Sequence, residues 1–337
     1  MPRPFPWEVG GLAGYLVKRI SLLVPVLLGI SLVVFLLIHL IPGNPAQAIL
    51  GTSATPAQIA RLDQALGLNK PIWLQFADYL GRVLHGNLGE SISEYQSVAS
   101  LVAYALPNTV ELAVVALVLA VVIAVPLGVA SAVWRNSPFD FAAMAFAQLG
   151  ISMPVFWLGT LFVEFFALDL HLFPTFGIGP PVGQAFAALA QGNVGPMGSL
   201  VSHAMLPALT LGLTGAAIVS RMVRTAMIEA LGQDYVRTAR AKGATSGRVV
   251  WRHALRNAML VVVTVVGLQF GYFLGGAVII ESIFAWPGIG RLTVNAILAR
   301  DFPLVQGCVL VIAALFAFVN LLVDVSYAVL NPKIRYQ

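Results

Sequence analysis

Long apolar runs separated by short polar stretches dominate this chain. The first, residues 20–41, is apolar except for two serines and His39, and its 22 positions rise roughly 33 Å as a helix, enough to cross a hydrocarbon core of about 30 Å. The same pattern places further spans at 109–134, 139–168, 200–220, 258–280 and 304–330. Six membrane-spanning helices are therefore expected. Pro126, Pro154 and Pro207 fall inside three of them, where neighbouring helices can satisfy the freed carbonyls, so kinks are predicted there. A cleaved signal peptide is the rival reading of the first run, which is longer than the usual h-region, so a retained span is favoured.

The stretches between the runs differ in character. Residues 42–108 are mixed and water-compatible: Thr55 and Pro56 read as N-cap and first helical residue, followed by an apolar stripe of Ile59, Leu62 and Leu66. A second amphipathic piece over 71–84 carries Trp73, Phe76, Tyr79 and Leu80 at helical spacing. These two helices predict a small cap outside the bilayer. Residues 169–199 and 281–303 read as loops on that same side.

Charge then orients the chain. Fourteen Lys and Arg lie in residues 1–19, 135–138, 221–257 and 331–337, against five in 42–108, 169–199 and 281–303. The basic side is expected to be cytoplasmic, with both termini and the 221–257 loop facing inward. Composition agrees: 59% of the 337 residues are hydrophobic and 10% charged, with a mean hydropathy of +0.88, whereas about a quarter of a soluble domain is charged. The net charge of +5 follows membrane topology, so nucleic acid is set aside. A single cysteine, Cys308, excludes an intramolecular disulfide and a Cys-cluster metal site, and its apolar setting reads as packing.

No sequence pattern for chemistry inside the chain stands out. There is no G-x-x-x-x-G-K-[ST] cradle for ATP phosphates, no H-E-x-x-H, no metal-spaced pair among the histidines, and no G-x-S-x-G elbow. No catalytic residue, metal ligand or bound cofactor is assigned. Glu164 and Asp324 are candidate intramembrane polar residues; each lies toward a span end, where snorkelling is the plainer account. Gly267, Gly271 and Gly275, at four-residue spacing, give the fifth span a smooth face for close helix packing, either near a pathway against a second subunit or within one subunit.

One polar island remains, residues 229–257, punctuated by Gly232, Gly243 and Gly247. Residues 233–242 would form a helix of roughly 15 Å, with Asp234 suited to its start and Lys242 to its end. Tyr235, Thr238, Ala239 and Lys242 share one face, and Ala239 and Ala241 are small enough to enter a groove. A second piece, 248–257, runs back into the fifth span. A polybasic loop can serve merely as the inside signal or a lipid contact. Helix-sized pieces broken by glycine also suit a rigid handle for a cytoplasmic partner.

The island carries Glu229-Ala230-Leu231, then Asp234-Tyr235-Val236-Arg237-Thr238-Ala239-Arg240-Ala241-Lys242-Gly243, then His253-Ala254-Leu255-Arg256-Asn257-Ala258. This resembles the EAA loop of ABC-importer permeases, in particular those of the dipeptide, oligopeptide and nickel family. The ordered series includes Leu40-Ile41-Pro42-Gly43-Asn44-Pro45, Met153-Pro154-Val155-Phe156-Trp157-Leu158-Gly159, Leu206-Pro207-Ala208-Leu209-Thr210-Leu211, Phe284-Ala285-Trp286-Pro287-Gly288-Ile289-Gly290-Arg291, Asp301-Phe302-Pro303-Leu304-Val305-Gln306-Gly307 and Asn331-Pro332-Lys333-Ile334-Arg335-Tyr336.

The resemblance implies an all-α integral membrane protein of the type I ABC importer permease fold, with six transmembrane helices and a small helical periplasmic cap, in the bacterial inner membrane. It implies that Glu229, Ala230 and the segment from Asp234 to Gly243 couple to an ATPase. Its expected partners are a second homologous permease, two cytoplasmic ATP-binding subunits holding ATP and Mg, and an extracytoplasmic binding protein. Two positions depart from the family pattern. Leu231 replaces the second alanine of the motif, and Leu260 stands where proline is common, which puts the entry of the fifth span in question. The expected cargo is di- or oligopeptides, with nickel chelates or glutathione as alternatives. Rival classes are an autonomous ion-coupled carrier using Glu164 or Asp324, and an intramembrane hydrolase.

Overall fold

The computed structural model describes residues 11–39, 46, 50 and 54–330. Arg3, the Leu40 to Pro45 motif, the Asn331 to Tyr336 motif and the 331–337 tail lie outside the described residues. The regular elements are helical, in the order α1 (Gly11–His39), α2 (Pro56–Leu66), α3 (Ile72–Leu84), α4 (Val98–Val133), α5 (Pro138–Ser152) and α6 (Val155–Phe162), which runs on into a π-helical segment, Val163–Asp169. Then follow α7 (Val182–Ala190), α8 (Gly195–Leu231), α9 (Asp234–Ala241), α10 (Leu255–Ile283), α11 (Ile289–Leu298) and α12 (Phe302–Leu330).

Among the described residues five helices are long and apolar enough to cross a membrane: α1, α4, α8, α10 and α12. A sixth crossing requires counting α5 with α6 and its π segment as one span, and that pair bends by 104°. The stretch 139–168, expected as one kinked span, forms two helical pieces that meet at this bend. Its cause is local: Met153 precedes Pro154, whose ring disfavours helical backbone at that residue, and Met153 is extended at φ −75°, ψ 131°. By contrast, Pro126 and Pro207 stay inside continuous helices, α4 and α8.

Other boundaries also move. α4 begins at Val98 rather than residue 109, because Pro107 is tolerated within the helix. α8 runs 37 residues, about 55 Å at 1.5 Å per residue, and carries the fourth span on to Leu231, into the stretch read as loop. The loops read over 169–199 and 281–303 contain α7 and α11. α2 starts as its sequence predicts: the Thr55 Oγ1 accepts from the Gln58 N–H at 3.4 Å, and the Gln58 Oε1 accepts from the Thr55 N–H at 2.9 Å.

The chain divides into two compact units. One comprises Met1–Leu16, Val110–Trp286 and Val319–Gln337, and α8 forms its buried centre. Glycine permits the closest approaches here. A Cβ at Gly212 would stand 2.9 Å from the Ala116 carbonyl oxygen, and one at Gly128 would stand 2.6 Å from that of Ser220, so α4 and α8 pack backbone to backbone.

The other unit comprises Val17–Thr109 and Pro287–Phe318. Its core joins Val98, Val102 and Ala105 of α4 to Ile289 and Ala296 of α11 and to Leu304 and Cys308 of α12. Asn108 donates to the Pro287 carbonyl at 2.9 Å, and the Ile289 N–H donates to the Thr109 hydroxyl at 2.8 Å. Asp301, buried ahead of α12, accepts from the Ser91 hydroxyl at 2.5 Å, from the Ser93 N–H at 2.9 Å and hydroxyl at 2.8 Å, and from the Leu304 N–H at 3.1 Å. Burial pushes this carboxyl up, but the hydrogen bonds from Ser91, Ser93 and Leu304 together outweigh it and hold the group below the usual aspartate value.

Candidate coupling site

The polar island is built at the end of α8. The α8 helix closes where the Gly232 N–H donates to the Ile228 and Glu229 carbonyls, and the chain turns extended at Gln233 before α9. Glu229 and Ala230 are therefore in the last turn of α8, with Glu229 exposed and Ala230 buried. Asp234 sits in the first turn of α9 and pairs with Arg237 at 3.3 Å, while the Thr238 hydroxyl donates to the Asp234 carbonyl at 3.0 Å.

Gly243 ends α9. Its φ of +78° is the left-handed region, its N–H donates to the Arg240 carbonyl at 2.9 Å, and the Ala244 N–H donates to that of Ala239 at 3.1 Å. This is a Schellman motif, completed by apolar contact of Ala244 with the buried pair Val236 and Ala239. Val249 closes the cluster, so a small private core folds the island back on itself.

That core corrects one expectation. Ala239 faces inward, together with Val236, and is not on the surface offered to a groove. Asp234, Tyr235, Arg237, Thr238, Arg240, Ala241, Lys242 and Gly243 are exposed. Amphipathic spacing identified the helix; which side was inner depended on Val249, whose packing the local pattern does not show.

A single turn, Ser246–Arg248, and a π segment, Val249–Ala254, then lead into α10. The π segment supplies the entry geometry left open by Leu260, whose side chain lies outside the described ones; the α10 backbone passes through position 260 without a break. Arg248, Arg252 and Arg256 are exposed, so the island presents mainly positive charge.

Sequence reading missed the clamp beneath it. Asp140, 2% exposed, receives Arg224 Nε on Oδ1 and Nη2 on Oδ2, both at 2.6 Å. It also accepts from the Asn136 N–H at 2.9 Å. This bidentate pair joins the first turn of α5 to α8, five residues before Glu229. Ser137 caps α5, its Oγ accepting from the Asp140 N–H at 3.2 Å, while the arginine partner of Asp140 lies 84 residues on.

The remaining candidates separate. Gly267 packs so closely on Val323 that a Cβ would clash, Gly271 is buried, and a Cβ at Gly275 would meet nothing of this chain within 4 Å. Glu164 is exposed on the π segment after α6, and Asp324 is half-buried. Among the described residues the fully buried acidic side chains are instead Asp140, Glu281 and Asp301.

Residues 124–336 match the model of the binding-protein-dependent transport system inner membrane component, and residues 12–113 match that of its N-terminal region. The chain belongs to this family. Its members are non-catalytic membrane components of ABC importers, multi-pass in the inner membrane, and work with ATPase and binding-protein partners. The chain is 42% identical over 330 residues to a dipeptide transport system permease protein of Alkalihalophilus pseudofirmus, covering 96% of this chain and 99% of the relative. It is 42% identical over 335 residues to the corresponding Escherichia coli K12 protein, and 41% over 323 residues to a glutathione transport system permease of Salmonella choleraesuis, with the same coverages. The fold is similar to that of a chain in the inward-facing MetNI methionine ABC transporter, with TM-score 0.52 and 18% identity over 68% of this chain and 96% of that one.

Proposed function

We propose that this chain moves di- or oligopeptides inward across the membrane, together with a second homologous permease. The exposed helix α9 carries the coupling reading: it ends in a fixed cap, projects its outer side chains free of its own core, and joins directly to the 37-residue α8. In this reading α9 seats in a groove of an ATPase subunit. Two such subunits bind ATP and Mg, and their closure moves α9 with α8. The Asp140–Arg224 clamp passes that displacement to α5. The cytoplasmic side holds both termini and the 221–257 island, and the cap helices α2 and α3 are periplasmic.

The peptide assignment is supported by the dipeptide permeases at 42% identity across nearly the whole chain. Glutathione, itself a tripeptide, is the second reading, favoured by the permease at 41%. Nickel chelates rest on family resemblance alone, and an ion-coupled carrier would need Glu164 or Asp324, neither of which is fully buried. The test is uptake by the reconstituted complex with its binding protein. Dipeptide accumulation that requires ATP and the binding protein is expected. Uptake by this chain alone, driven by an ion gradient, would overturn the proposal.

A further inference from the structure

Helix α3 has a continuous apolar arc, and only half of it is covered. Phe76 and Tyr79 pack on Phe35 of α1, with ring centroids 5.3 and 5.7 Å away. Tyr79 is 8% exposed, and this burial pushes its phenol up to about 12. Rotating around the helix, Trp73, Ala77, Leu80 and Leu84 follow one another at i, i+4, i+7 and i+11. Trp73 is 66% exposed and Leu84 82% exposed. The polar side points elsewhere: Gln75 donates to the Leu68 and Lys70 carbonyls at 3.1 and 2.7 Å, and Asp78 pairs with Lys70 at 2.6 Å.

Phe35 also sets the depth of this helix. The apolar run that begins at residue 20 ends at residue 41, so Phe35 lies six positions before its end, toward the edge of the hydrocarbon. A helix is about 10–12 Å across, so side chains on α3 lie within one helix diameter of that edge. Leu28 and Leu32, seven and three residues before Phe35 and on its side of α1, are 46% and 42% exposed, so apolar surface continues from the span toward α3.

We propose that α3 is an in-plane interfacial helix that inserts Trp73 and Leu84 into the leaflet where α1 emerges. Such helices sink their apolar faces roughly 5–10 Å into the headgroup and acyl boundary, and Trp is favoured there. The inference rests on the membrane-spanning fold and not on cargo or coupling; only the name of the leaflet, the outer one, depends on the proposed topology. Anchored in this way, α3 fixes the loop leading to α4 against the membrane plane.

The test attaches bimane to single cysteines in the full complex, reconstituted in phosphatidylethanolamine and phosphatidylglycerol vesicles. Trp73→Cys and Leu84→Cys report the open arc, Arg82→Cys the polar side and Val33→Cys the lipid; buried Cys308 gives its background in the unsubstituted chain. Lipid bearing a nitroxide on the fifth acyl carbon should quench the Trp73 and Leu84 labels at least about threefold more than the Arg82 label, and iodide should show the reverse order. Iodide quenching equal to that at Arg82 would leave the face in water and overturn the proposal. Protection from both quenchers would mean a protein partner covers it, and would overturn it equally. Leu84, at the helix end, keeps the test valid if the Trp73 variant does not assemble.

Discussion

Asp140 is the residue whose loss should matter most to the site's support. Removing one partner of a buried, bidentate pair costs about 3–5 kcal/mol, because the other charge is left without compensation. Asp140→Ala should therefore lower the unfolding midpoint of the purified chain more than the double variant Asp140→Leu with Arg224→Leu, measured by thermal denaturation in detergent. Asp301 adds a pH dependence. Its folded pKa lies below the ordinary value of 3.8, so the folded state binds fewer protons than the unfolded one between those values. Its contribution is complete above the ordinary value and is lost as pH falls through the folded one. Asp301→Asn should flatten the acid limb of the stability profile, read by unfolding midpoints across that range; an unchanged limb would contradict the hydrogen-bond account. At this scale the sequence exposed Cys308 as packing and Asp234 as a helix start. It concealed the pairing of Asp140 and Asp301, because their partners Arg224 and Ser91 are distant in the chain and only folding makes them neighbours.

Helix α9 shows how far local pattern reaches. Its length, its start at Asp234 and its stop at Gly243 follow from helix-capping rules, but its inner face was set by Val249 in the following turn. Gly243→Ala would place a Cβ at φ +78°, costing about 1 kcal/mol and raising local opening about fivefold. Amide exchange over 234–244 should quicken by that factor while α8 stays protected; uniform exchange changes would contradict a separately folded island. Where α4 meets α8, Gly212→Val should prevent stable packing, since its Cβ alone would stand 2.9 Å from the Ala116 carbonyl oxygen. The break between α5 and α6 was legible as a proline kink at Pro154, but its 104° size was not. Likewise α7 and α11 escaped notice because short helices in mixed stretches lack the long periodic signal.

At the scale of the whole chain, hydropathy was sufficient to establish a helical membrane protein, and charge asymmetry carries the proposed orientation. The family follows from matches covering most of both halves of the sequence. Cross-linking reports what α9 touches. Cysteines at Thr238 and Ala241, on the exposed side of α9, should form zero-length disulfides with cysteines lining a groove of the co-expressed ATPase, whereas Ala239→Cys, turned toward Val249, should not. An assembled, ATP-hydrolysing complex in which no exposed position of α9 cross-links to the ATPase would contradict the coupling assignment.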